Sequence, residues 1–262
     1  MKLTSFPRHA SLLIFASYLT CIASGQNRPA QGANSAPPLP APRLAVDPNL
    51  GLNSGKPDLS GKGFWDIRYV TGMSKARAGV TRATEVPFTA KGKKLFDERN
   101  ATFSKDDPQS HCLPPGIPRM MFTPHPIDIL QMRDRIVIIY ETQNMWRIIR
   151  MDGRPHPKDP NPTYLGDSIG HWDGDTLVVD IVGFNDVSWF DLQGHPHGEK
   201  LHIVERYTRP NFNTLHNEVA IEDPEYYTEQ WAVPMDIPWV ANQEMSEYVC
   251  DNNKDLPHLV GK

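Results

Sequence analysis

Apolar and polar positions alternate along most of the chain from residue 127 onward. A period of two marks strands with one buried face. On this reading strands span 127–132, 136–141, 146–152, 168–172, 176–182, 201–208, 215–221, 227–235 and 243–250. Asp152-Gly153 and Asp173-Gly174 mark tight turns. No long helical period intervenes, so neighbours are expected to pair antiparallel. So many consecutive strands must close or stack to hide their edges. The expected fold is mainly β: a single antiparallel up-and-down barrel of calycin type, with a two-sheet β-sandwich as the alternative. A barrel of about eight strands has room for one small ligand.

Upstream, the segment 57–70 begins the folded part, with Phe64, Ile67 and Tyr69 seating a first strand. Residues 74–85 are polar and low in pattern. The segment 87–103 predicts one short helix, capped by Thr89, with Ala90, Leu95, Phe96 and Ala101 at helical spacing. Asp107-Pro108 stops it. The run HCLPPGIPR, 111–119, holds three prolines and reads as a rigid extended loop. Met120, Met121 and Phe122 then pack on the core, and His125, between two prolines, reads as a surface turn.

The N-terminus changes the picture of where the protein works. Lys2 and Arg8 precede a short apolar run, 10–22, and Ala23-Ser24-Gly25 fits a cleavage site. Residues 1–25 therefore read as a signal peptide, and the protein as periplasmic or secreted. Residues 26–56 are rich in Pro, Ala, Asn and Gly and read as a disordered tether. Residues 57–262 form a single β-rich domain. Two cysteines remain, Cys112 and Cys250, and an oxidising compartment favours a disulfide between them. The net charge of -4 gives no basic stripe for nucleic acid. The mean hydropathy of -0.48 argues against a membrane span. With 25 prolines and 18 glycines, turns outnumber long helices.

Candidate chemistry concentrates between Gly166 and Arg209. In 201–208, alternation puts His202, Val204, Arg206 and Thr208 on one face and Leu201, Ile203, Glu205 and Tyr207 on the other. If the first face lines the cavity, His202 serves as general base or acid and Arg206 as an anion clamp. His195 and His197 flank Pro196, and with His202 they resemble a zinc or iron ligand set, the rival use. Asp180, in TLVVDIV, is a carboxylate among apolar neighbours, suited to acid–base work or to a buried ion pair. Asp191 is placed to orient a histidine. The loop rings Phe184 and Trp189, with Asn185, suit stacking on a flat ligand or plugging the barrel end. Tyr140 and Arg150 stand where a barrel mouth forms, and Glu141 and Arg147 are placed for a hairpin salt bridge. There is no GxGxxG after a strand, no P-loop and no GxSxG elbow, so neither nicotinamide or ATP chemistry nor a serine hydrolase is expected, and no cofactor is.

The motifs CLPPGIPR, MDGRPHPKD, GDSIGHWDGDTLVVDIVGFND, GHPHGEKLHIVERY and EYVC together resemble a widespread family of secreted bacterial proteins. The resemblance covers roughly 57–252 and implies export and a single domain. It assigns no activity to any residue.

The residues thus point to an exported, cofactor-independent lyase, isomerase or hydrolase acting on a small hydrophobic or aromatic molecule. Two alternatives stand beside it: a non-catalytic carrier of a hydrophobic small molecule, and a metal enzyme using His195, His197 and His202.

Overall fold

The computed structural model describes residues 38–68, 73 and 86–250. The elements are β1 (Gly63–Trp65), α1 (Ala90–Ala101), β2 (Ile127–Gln131), β3 (Arg135–Tyr140), β4 (Met145–Arg150), β5 (Asp167–Asp173), β6 (Thr176–Val182), β7 (His202–Asn211), β8 (Thr214–Glu222) and β9 (Trp231–Ala241). Each strand bonds to its neighbours in sequence and β9 returns to β1, so the sheet closes into a barrel. The barrel expected from the alternation is therefore present, and the sandwich is not. The helix is also present, with the Thr89 hydroxyl accepting from the Gly92 amide as its N-cap.

Nine strands cannot alternate direction all the way around a ring. One neighbouring pair must run parallel, and that pair is β4–β5. All other contacts in the barrel wall are antiparallel. A parallel pair needs a long crossover. The segment 151–166, with Pro155, Pro157, Pro160 and Pro162, provides it. This corrects the expectation that the strand at 146–152 pairs antiparallel with that at 168–172. Asp173-Gly174 does close a hairpin, whereas Asp152-Gly153 opens the crossover.

The seam is short. Only Ile149↔Ser168 and Arg150↔Ile169 pair across it. Toward the start of both strands, the backbones of Trp146–Ile148 and Leu165–Asp167 part. Gly166, at φ +66°, sits where a Cβ would come within 2.8 Å of Ile181 and of the Val182 carbonyl. Only glycine leaves the chain free to turn in at that point.

Alternation sets what fills the barrel. Ile136, Ile138, Leu177, Val179, Ile203, Val219 and Val233 point inward and are buried. Met120, Met121 and Phe122 close the end where the long loops gather. The barrel axis is filled with side chains in one continuous core.

Three expectations need correction. The strand expected at 227–235 begins and ends later, at Trp231 and Ala241. It carries Pro234 and Pro238, which mimic a stop. Strand β1 covers only Trp239–Ala241 of β9, so much of that edge is unpaired and tolerates proline. The strand expected at 243–250 is an irregular segment, and the ninth strand is β1. The tether does not run free to Lys56. From residue 38 the chain folds onto the barrel: Asn53 is buried, accepting from the Trp172 indole and donating to the Met132 carbonyl. Polar bonds rather than apolar area hold this segment. The expected signal peptide, the tether through residue 37, Tyr69 and 74–85 lie outside the described residues.

Candidate functional site

The β4–β5 seam opens a cleft of about 230 Å³ in the barrel wall. Its lining includes Trp146, Arg147, Ile148, Arg150, Leu165, Asp167 and Ser168. Arg147 points into the barrel and is almost fully buried, as is its partner Glu205 on β7, with Nη2 at 2.6 Å from Oε2. Burial works against the Arg147 charge, but Glu205 and then Tyr140 and Tyr207 outweigh it and raise the proton affinity of the guanidinium. Burial pushes the Tyr140 and Tyr207 phenols up as well, so both stay protonated.

This interior is short of partners. Arg147 Nε and Nη1, Tyr140 Oη, Ser168 Oγ, Glu205 Oε1 and both side-chain polar atoms of Asn217 are buried without a well-formed hydrogen bond. Buried polar groups are nearly always satisfied, so such a cluster calls for a physical reason. Arg147 and Ser168 both reach the cleft. Arg150, at the rim, forms no ion pair within the described chain.

Asp167 links the cleft to an acid–base chain on the outer barrel face. Its Oδ1 lies 2.7 Å from His156 Nδ1, in the crossover. His156 Nε2 lies 3.1 Å from Asp180 Oδ1 on β6. The same oxygen lies 3.1 Å from His202 Nε2 on β7. His202 Nδ1 is 3.5 Å from Glu222 Oε2 on β8. Carboxylates and imidazoles thus alternate across four adjacent strands. The Asp167 Oδ2 atom has no hydrogen-bond partner among the described residues, and Asp167 lines the cleft.

The other candidates fall elsewhere. His202 and Arg206 do share a face, but it is the outer one; Glu205 and Tyr207 take the cavity side. Arg206 sits four residues along β7, about 13 Å away, and pairs with Asp173 at 3.0 Å. It cannot clamp a group beside His202. Asp180 is paired with histidines rather than an arginine. Glu141 and Arg147 do not bridge: Glu141 takes His125 and the Ser246 amide.

Asp191 does orient a histidine, but a buried one: its Oδ2 lies 2.7 Å from His195 Nδ1. Burial opposes the Asp191 charge, yet His195 and the Met73 amide prevail and hold the carboxyl below its usual range. His195 packs against the paired rings of Phe88 and Phe96, which ties the 184–200 loop to α1. His197 bonds Ser188 at 2.9 Å and stacks on Phe190. The rings of Phe184 and Trp189 are buried rather than offered to a ligand, with the Arg99 guanidinium over Trp189. Asn185 turns its own loop by accepting from the Val187 amide. His195, His197 and His202 have separate partners, and no group of three or more His, Cys, Asp or Glu among the described residues is arranged to hold a metal.

A second pocket of about 280 Å³ lies at the loop end, near the Cys112–Cys250 disulfide. Asp191, His125 and the buried Arg119–Asp107 pair reach it, with Phe122, Leu192 and Tyr248 as apolar wall.

Sequence reasoning missed Asp167 and Ser168 and gave Arg147 the wrong partner. Asp167 carries no local signal. Glu205 does: its face in β7 also holds Leu201, Ile203 and Tyr207, the more apolar set. No family model matches the chain, and neither a curated protein nor a solved structure matches it.

Proposed function

We propose that the protein is a cofactor-independent proton-transfer enzyme, a lyase, isomerase or hydrolase, with its site in the β4–β5 cleft. One observation carries this reading. Asp167 presents a carboxylate to the cleft while its other oxygen is held by a chain of imidazoles and carboxylates. Such a carboxylate can take a proton on Oδ2 from a bound molecule and return it to a neighbouring atom. His156 holds the carboxylate in orientation, as second groups do in acid–base pairs. Asp180 and His202 extend the chain to solvent, giving the proton a route out. Arg147 and Arg150 are placed to stabilise negative charge that develops on the substrate, with no reorganisation at the moment of reaction. The candidate roles of Asp180, His202, Tyr140 and Arg150 are kept, around a different centre. Export is part of the proposal, and the disulfide suits an oxidising compartment.

The test compares purified wild-type protein with Asp167→Asn against a mixture of small metabolites, read by mass spectrometry. A compound consumed by wild type should change by one water, by nothing, or by a lost fragment, naming hydrolysis or hydration, isomerisation, or lysis. Asp167→Asn should slow turnover by about 100-fold or more, the usual contribution of a positioned acid or base. His202→Ala, farther along the chain, should slow it less. Turnover by Asp167→Asn at the wild-type rate would sink the assignment.

A further inference from the structure

We infer that the β4–β5 cleft binds a small monocarboxylate with an apolar or aromatic body. The inference shares the cleft with the proton-transfer reading and rests on that placement, but it is argued from binding chemistry alone.

Donors outnumber acceptors at the cleft. Arg147 Nε and Nη1 and Ser168 Oγ are buried without partners, and these residues line the opening. A group that accepts several hydrogen bonds at once answers this set, and a carboxylate does so with two oxygens. Burying a lone Arg147 charge would be prohibitive without Glu205. With Glu205 present, that cation is compensated, and the guanidinium keeps unused edges for a second acceptor. Arg150 adds a second cation at the rim, where Asp167 is the one carboxylate of the lining, so a singly charged ligand meets less repulsion than a phosphate dianion.

Trp146, Ile148 and Leu165 give the cleft an apolar side. Trp146 is 64% exposed and Ile148 36%, and both stand at the opening. A large exposed indole beside a buried cation is an unusual surface feature. A ring or short alkyl chain stacked on Trp146 and Ile148, with its carboxylate toward Arg147, covers both. The volume of about 230 Å³ limits the ligand to a small one.

Benzoate is the probe, with benzamide as its neutral counterpart and inorganic phosphate as a non-organic anion. Calorimetry and tryptophan fluorescence read binding to the mature wild-type protein. Benzoate should bind, benzamide should bind at least tenfold more weakly, and phosphate should not compete. Arg150→Gln should weaken benzoate by tenfold or more with an unchanged melting temperature. Arg147→Met combined with Glu205→Leu, which removes both buried charges together, should abolish binding while the barrel still folds. If that double variant fails to fold, Arg150→Gln decides alone. Equal binding of benzoate and benzamide, phosphate binding tighter than benzoate, or no benzoate binding below about 10 mM would each overturn the inference. Benzoate binding without any turnover in the metabolite screen leaves this inference standing and removes the proton-transfer reading. Turnover of an uncharged compound, unaffected by benzoate, does the reverse.

Discussion

At the scale of single residues, the buried Arg147–Glu205 pair and its unsatisfied neighbours decide most of the argument. Such pairs are often no better for stability than apolar residues of the same volume, while removing one partner strands a charge. Glu205→Gln should therefore lower unfolding free energy by about 3–5 kcal/mol, and Arg147→Met with Glu205→Leu should be close to neutral. Urea unfolding of the two variants measures this; a double variant as damaged as the single would show the pair to be structurally required. His197 gives a second residue-scale expectation. Burial lowers its pKa from 6.5 to about 4. The unfolded chain therefore binds a proton between these values that the folded chain refuses, so stability falls as pH drops from about 6.5 to 4. The loss is on the order of 3 kcal/mol. Urea midpoints across that range should decline for wild type and decline less for His197→Gln, and parallel profiles would exclude His197 as the source. Which face of a strand is buried was open to inference where the two faces differ in apolar content, as in β6 and β7, although the expectation turned Asp180 and His202 inward and both lie on the outer face. It was not legible in β4, where Met145 and Ile149 flank Arg147 on one face and Trp146 and Ile148 precede Arg150 on the other.

At the scale of elements, alternation of period two identified most strands, because each has one wet and one dry face. Strands β2 to β8 fall close to their expected places. The expectation failed where another constraint overrode local pattern. Proline at 234 and 238 reads as an end, yet an edge left open by the three-residue β1 accommodates it. The segment 243–250 has strand-like composition but joins no ladder. The parallel seam was open to inference in principle, since nine strands cannot all alternate around a ring; the location of the mismatch was not. The connection 151–166 is long enough to cross back and its prolines rule out a helix, but 66–126 and 183–201 are longer still, so length alone did not locate it. The same crossover delivers His156 between Asp167 and Asp180. The candidate site therefore arises where the antiparallel pattern is forced to break, and a local reading of motifs placed it one strand too far along, in the loop after β6.

At the scale of the whole molecule, the Cys112–Cys250 disulfide encloses eight of the nine strands, β2 to β9, within a loop spanning 138 residues of sequence separation. The segment 243–250 joins no ladder. Besides the disulfide, it is held by the Asn144 side chain, which donates to the Tyr248 carbonyl and accepts from its amide, by Glu141 accepting from the Ser246 amide, and by the Tyr248 ring edge-on to His125. The crosslink therefore acts less by clamping folded contacts than by restricting the unfolded chain, which otherwise samples the full freedom of the barrel sequence. A loop of this length corresponds to about 5 kcal/mol in the chain-entropy account. At about 2–4 °C per kcal/mol for a domain of this size, Cys112→Ser with Cys250→Ser should lower the melting temperature by roughly 10–20 °C. The far-UV spectrum of the folded state should not change, because no strand depends on the bond. The denaturant slope should rise, since an unlinked unfolded chain exposes more surface. A small drop in melting temperature with an unchanged slope would mean that the unfolded barrel is already compact at its ends. A collapse of the folded spectrum would mean that the bond holds the loop-end cap, from Arg119 to Phe122, in place over the barrel.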